Sequence, residues 1–254
     1  MTFIIAELGV NHQGNFGTAL KLVDAAKSTG ADAVKFQLFD SRKLWGDDRI
    51  KHLELSQPQM RDLAAYAKSA GIEFLCTPFG LEELEFITPL SRRIKIASGC
   101  LTNHDLLAAI RPNMPVILST GMSTPEEIGA AVRILGTERP LALLHCTSSY
   151  PCRLEDVNLL AMRALSVHGL IGYSDHTAGI TTAIAAVALG ARIIEKHLTL
   201  DRNADGPDHK ASITPIYFSA MVDGIRAVEL ALGDGIKRVM PCEEPLRKLW
   251  REKP

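Results

Sequence analysis

The chain has 254 residues, with 28 Lys and Arg against 29 Asp and Glu, a formal net charge of -1. That balance gives no electrostatic footing for nucleic acid or an anionic membrane as the main partner. A content of 46% hydrophobic and 22% charged residues excludes wholesale disorder, and the length supports a large core without disulfide or metal staples.

No apolar run approaches the ~18 residues of a membrane span. Met1–Val10 lacks a basic leader and carries Glu7 inside its apolar stretch, so no cleaved signal is expected. Five cysteines (Cys76, Cys100, Cys146, Cys152, Cys242) form no C-x-x-C pair and read as reduced thiols, hence a cytoplasmic protein.

In chain order, short apolar runs alternate with longer Ala/Leu-rich stretches. A strand over Phe3–Glu7 precedes Ala19, Leu22, Val23 and Ala26, which repeat at helical spacing before Gly30. The next strand, Ala33–Phe36, leads to a helix through Leu63, Ala64 and Ala67 that stops at Gly71. Strands over Glu73–Cys76, Arg93–Ala97 and Val116–Ser119 follow. Thr124-Pro125-Glu126-Glu127 is a helix start: a Thr cap, proline at the first helical position and acids in the first turn. Ala142–Cys146, Leu170–Tyr173 and Arg192–Glu195 complete the strands, with helices over Ile180–Leu189 and Pro215–Leu232. Eight continuously apolar strands and about eight helices in alternation predict an α/β fold, a single-domain (β/α)8 barrel, with parallel strands buried on both faces. An open doubly wound sheet would show a Gly-rich turn after the first strand. Gly9-Val10-Asn11-His12-Gln13-Gly14 does not match G-x-G-x-x-G.

In such a barrel the chemistry gathers at the C-terminal ends of the strands. Those ends carry Glu7 with Asn11-His12, Lys35 with Gln37, Thr77, Lys95 with Ser98, Ser119, then His145 with Thr147, Ser148 and Tyr150, Ser174-Asp175-His176, and Glu195-Lys196-His197. Taken singly, a strand-end Lys is usually a salt-bridge partner, a His a packing residue and a Ser or Thr a helix cap. Together around one rim they point to a ligand, because burying so many ionisable groups is costly unless a ligand or mutual pairing compensates. Lys35, Lys95 and the hydroxyls of Thr77, Ser98, Ser119 and Ser174 suit a small multiply charged anion. His176 and His197, from adjacent strand ends, suit one divalent ion with open positions for oxygen ligands.

The segments IIAELGVNHQG (4–14), GADAVKFQ (30–37), TPF (77–79), KIASG (95–99), ILSTGMS (117–123), LLHCTSSYP (143–151), GYSDHT (172–177), ALGARIIEKHLTLDR (188–202) and GPDHKAS (206–212) resemble the sialic acid synthase family. That family includes N-acetylneuraminate, legionaminate and pseudaminate synthases. The resemblance implies a (β/α)8 barrel that condenses phosphoenolpyruvate with an N-acetylmannosamine-like or other aldose, releasing phosphate and requiring a divalent metal. Mn2+ is the metal expected, with Mg2+ or Co2+ as alternatives. By position, Lys35, Thr77, Lys95, Ser98, Ser119, Ser148 and Ser174 correspond to residues around phosphoenolpyruvate. Glu7, Gln37, Tyr150 and Asp208 correspond to acceptor-side residues, with Glu7, Lys35, Lys95 and Asp208 the catalytic candidates. His176 and His197 correspond to the metal ligands.

Three departures from the family pattern fall on the sugar side. Cys100 stands where the family has an acid, the Phe39–Leu55 segment is short, and residues 241–254 resemble only the linker from a barrel over 1–240 into an antifreeze-like domain. They leave two readings: a synthase with an altered acceptor, as a homodimer or with a lid from a partner protein, or a non-catalytic barrel that binds phosphoenolpyruvate or metal as a partner subunit.

Overall fold

The computed structural model describes residues 1–136 and 138–251. Eight parallel strands form one sheet: β1 (Phe3–Gly9), β2 (Ala33–Leu38), β3 (Glu73–Pro78), β4 (Ile94–Ile96), β5 (Val116–Ser119), β6 (Leu141–His145), β7 (Leu170–Asp175) and β8 (Ile193–His197). The order β3-β2-β1-β8-β7-β6-β5-β4 joins first strand to last, and β3 packs against β4, so the sheet is a nearly closed (β/α)8 barrel. Arg93, just before β4, reaches Glu73 at the start of β3 with Nε–Oε1 at 2.8 Å, an ion pair across the seam where the ladder is interrupted.

Around the barrel run α1 (Phe16–Ser28), α2 (Ser41–Trp45), α3 (Gln57–Ala70), α4 (Leu81–Ile87), α5 (His104–Ala108), α6 (Pro125–Leu135), α7 (Met162–Leu165), α8 (Thr181–Ala188), α9 (Pro215–Leu232) and α10 (Glu244–Arg251). The expected apolar stripe of α1, Ala19, Leu22, Val23 and Ala26, is its buried face. It shares one core with the outward residues Ile4, Ala6, Leu8, Val34 and Phe36 of β1 and β2. The start of α6 is a capping box between Thr124 and Glu127. The count of about eight helices omits two short ones. Within Phe39–Leu55, α2 is capped by Asp40, which accepts from the N–H groups of Arg42 and Lys43; α10 lies inside 241–254, of which 252–254 fall outside the described residues.

The inward face positions the site. Its lower layer is apolar: Ile5, Ala33, Leu75, Ile117, Ala142, Leu144 and Ile193. Because side chains alternate along a strand, the inward residues two positions further on are Glu7, Lys35, Thr77, Ser119, Cys146 and Glu195. The barrel therefore changes from hydrocarbon to ionic within one layer, toward the C-terminal ends of the strands.

Candidate active site

At the centre of the ionic layer stands Glu195, 4% exposed. Its carboxylate lies 3.8 Å from Lys35 Nζ and 3.7 Å from Lys95 Nζ, and it accepts a 2.9 Å hydrogen bond from the Ser174 hydroxyl. Burial pushes Glu195 up, but Lys35 and Lys95 outweigh it and hold the group down at about 2. Lys35 also pairs with Glu7 at 2.6 Å and donates to Thr77 Oγ1 at 3.1 Å. Lys95 donates to Ser119 Oγ at 2.7 Å and to the Ile96 carbonyl at 3.0 Å. Burial would depress both lysines; the carboxylates of Glu195 and Glu7 more than offset it at Lys35, whereas Lys95 stays below the ordinary lysine value. Beside this centre the hydroxyls of Ser98 and Ser148 lie 2.8 Å apart. They are half-buried.

A second group spans β1, β2 and β8. The Gln37 side-chain amide donates to Glu7 Oε1 at 2.9 Å. Glu7 and Asp208 converge over Gly9, where a Cβ would stand 2.9 Å from Glu7 Oε1 and 2.7 Å from Asp208 Oδ2. Gly9 has φ +45°, so a side chain is disfavoured by backbone and neighbours alike. Burial holds both carboxyls above the usual carboxylate range, despite Lys35 beside Glu7 and His197 beside Asp208.

His176 and His197 meet, their ring centroids 5.6 Å apart. Tyr150 lies against both, at 4.1 Å from His176 and 5.8 Å from His197. His176 Nδ1 is 2.7 Å from the Thr147 carbonyl oxygen. A carbonyl only accepts, so Nδ1 carries the proton and the Nε2 lone pair is left free. His197 Nδ1 is buried and makes no hydrogen bond, with Asp208 Oδ2 3.5 Å away. Burial lowers both imidazoles, His197 to about 4, so at neutral pH they are in the uncharged, ligating form. The pair fits two positions on a divalent cation that takes mixed nitrogen and oxygen ligands. Among the described residues no group of three or more His, Cys, Asp or Glu side chains is arranged to hold a metal.

The sequence-selected residues thus lie in contiguous groups at the strand ends. Two residues of the same rim behave otherwise. Glu195, outside the selected set, is the hub of the two lysines; its i, i+2 relation to His197 was the signal for an inward carboxylate. Lys196 points the other way, pairing with Asp175 at 2.9 Å outside the ring with both residues fully buried, so it cannot serve the pocket. Among the remaining histidines, His145 is held by the Val157 carbonyl at 2.7 Å and His209 by Thr199 Oγ1 at 2.8 Å. Cys100 is 6% exposed, and burial raises its thiol despite the charge of Lys95. It is therefore a neutral thiol at pH 7 and supplies no negative charge.

The sequence profile of the NeuB family matches residues 22–237. The chain is 42% identical over 270 residues to N,N'-diacetyllegionaminic acid synthase of Campylobacter jejuni, covering 96% of this chain and 81% of that one. It is 37% identical over 267 residues to N-acetylneuraminate-9-phosphate synthase of Homo sapiens, covering 95% and 74%. Among solved structures, the N-acetylneuraminic acid synthetase of Leptospira borgpetersenii in complex with citrate aligns with a TM-score of 0.91 at 35% identity, covering 99% of this chain and 93% of that one.

Proposed function

The chain belongs to the NeuB family, and from that premise we propose that it condenses phosphoenolpyruvate with an N-acetylmannosamine-like aldose, giving a sialic-type 3-deoxy-2-ulosonic acid and phosphate. Relatives named as legionaminic, neuraminic and pseudaminic acid synthases place it among enzymes of sialic-type acid synthesis. The observation that carries the finer reading is the convergence of Lys35 and Lys95 on one buried carboxylate. Two buried lysines that share one carboxylate are cationic partners which the carboxylate and phosphate of phosphoenolpyruvate would take over from Glu195. The related synthetase captured with citrate also holds a polycarboxylate.

In this reading Lys35, Lys95 and the hydroxyls of Thr77, Ser98, Ser119, Ser148 and Ser174 bind the phosphoenolpyruvate, leaving its methylene carbon facing the aldehyde. Gln37 and Tyr150 orient the acceptor. The methylene carbon attacks the aldehyde carbon, and the aldehyde oxygen becomes a hydroxyl by taking the proton that the Glu7–Asp208 pair holds on Asp208, whose buried carboxyl is raised, while Glu7 stays ionised against Lys35. Water then adds at the former enol carbon and gives its proton to Glu195, whose lysines have turned to the substrate. The bond from that carbon to the phosphate oxygen then breaks, the new hydroxyl passes its proton to the departing phosphate and the 2-keto group is left, with the lysines stabilising the departing charge. The four charged groups Lys35, Lys95, Glu7 and Glu195 cancel, so an incoming multiple anion adds uncompensated charge to a buried site. A divalent cation held by His176 and His197, Mn2+ in first place, supplies the balancing charge and polarises the aldehyde when bound.

The test is phosphate release from phosphoenolpyruvate and Mn2+ against a panel of aldoses and N-acetylhexosamines. Release is expected only where a sugar acceptor is present. Binding of phosphoenolpyruvate with no release for any sugar would favour the non-catalytic reading.

A further inference from the structure

The outward side of the β7–β8 pair holds an ion pair that the proposed chemistry does not use. Asp175 and Lys196 are register partners on adjacent strands. Lys196 Nζ stands 2.9 Å from Asp175 Oδ2, and both side chains are 0% exposed. Each immediately precedes one of the paired histidines, His176 and His197. The pair also holds the chain beyond His176: Lys196 Nζ donates to the Thr177 carbonyl at 2.5 Å, and the Thr177 N–H donates to Asp175 Oδ1 at 2.8 Å. Thr182 Oγ1 donates to Asp175 Oδ2 at 3.0 Å, and Tyr173 OH to Oδ1 at 3.2 Å. Apart from each other, the two charges find these hydrogen-bond partners on β7, on the turn after it, and on α8.

A ladder already joins β7 to β8, and apolar residues would fill this space without the desolvation that two buried charges incur. What apolar packing would not supply is a directional fix on the backbone either side of His176, tied to the residue before His197. We propose that Asp175 and Lys196 are positioning residues for the two-histidine site, setting the separation and aim of the imidazoles at which one divalent cation bridges them. This inference rests on the two-histidine reading given above. Outer partners that orient metal-binding histidines govern affinity by about 10- to 100-fold, and a clamp on the backbone just beyond His176, tied through Lys196 to the strand that carries His197, acts on the same quantity.

The experiment measures Mn2+ binding by electron paramagnetic resonance in the wild type, in His197→Ala and in the doubly neutral Asp175→Asn/Lys196→Met, with circular dichroism as the folding control. The wild type is expected to bind one Mn2+ and His197→Ala to lose it. The double variant is expected to keep the wild-type dichroism and bind Mn2+ about tenfold more weakly or worse. Its phosphoenolpyruvate affinity, measured at Mn2+ concentrations that saturate both proteins, is expected to stay within about twofold, a selectivity that general loosening of the barrel would not give. Unchanged Mn2+ affinity, or an equal loss of phosphoenolpyruvate affinity, overturns the inference while leaving the two-histidine reading in place. A wild type that binds no Mn2+, or a His197→Ala that binds it as before, removes that reading and this inference with it. If the double variant does not fold, Thr182→Val decides, since it takes one hydrogen bond from Asp175 and leaves the ion pair. A weakening of Mn2+ binding by about twofold or more supports the inference, and an unchanged affinity overturns it.

Discussion

Glu195 and His197 sit two residues apart on one strand, and their protonation runs in opposite senses for opposite reasons. Two lysines keep Glu195 ionised down to about 2, whereas burial keeps His197, and likewise His12, neutral down to about 4. Each group's folded value lies below its ordinary one, 4.5 for the carboxyl and 6.5 for the imidazoles. Each therefore contributes stability that is fully present above the ordinary value and is lost as pH falls through the folded one. The histidine part goes first: the urea midpoint is expected to drop as pH falls from 6.5 toward 4, and His197→Asn is expected to make that drop shallower. Raised Glu7 and Asp208 act in the opposite sense at the lower end of this window, so the decisive comparison is between the two proteins: the same pH dependence in wild type and His197→Asn contradicts the assigned neutral histidine. Cys100 gives a second residue-scale prediction. Its neutral thiol adds no base beside Lys95, so Cys100→Glu is expected to raise turnover of N-acetylmannosamine by about tenfold or more, the scale of an acid–base group. Wild-type turnover that already exceeds the variant's would show that the thiol serves this acceptor as it stands.

Among the elements, α6 and the turn leading into it separate structural from functional sequence. A Cβ at Gly121 would stand 2.3 Å from Ser148 Oγ and 2.8 Å from Cys146 Sγ. Gly121→Ala is therefore expected to push the Ser148 hydroxyl from Ser98 and weaken phosphoenolpyruvate binding, read by calorimetry. Thr124→Ala, three residues on, removes the cap of α6 and is expected to cost about 1 kcal/mol of stability with turnover unchanged. Equal effects of the two on binding would count against the assignment of Ser98 and Ser148 to the anion. The cap was legible because Thr124-Pro125-Glu126-Glu127 is a local signal, and so were the barrel strands, whose apolar runs need only their own residues to be read. The short α2 was not, because Ser41–Trp45 spans little more than one turn, too few residues to show a period. Strand alternation did make one side of β8 readable in principle: if His197 faces inward, so does Glu195, and Lys196 faces out. What no local pattern shows is that Lys35 and Lys95, from β2 and β4, both end at Glu195.

For the whole molecule, closure of the ring creates the site. The β1–β8 ladder sets Glu7 opposite His197 in register, joining the two ends of the barrel sequence, and the β7–β8 ladder sets Ser174 opposite Glu195. The proposed site residues, drawn from strands all around the ring, lie together only while that closure holds. No described helix is long and apolar enough to cross a membrane, and the net charge of -1 gives the chain no overall cationic character. The central claim is that this interior joins phosphoenolpyruvate to an aldose. Its most direct test follows 13C-labelled phosphoenolpyruvate by 31P and 13C nuclear magnetic resonance with N-acetylmannosamine and Mn2+, in the wild type and in folded Lys95→Met. The account predicts one phosphate and one new 2-keto-3-deoxy acid for each phosphoenolpyruvate consumed by the wild type, and neither by Lys95→Met. Phosphate released without the new carbon–carbon bond, or condensation undiminished in Lys95→Met, would contradict it.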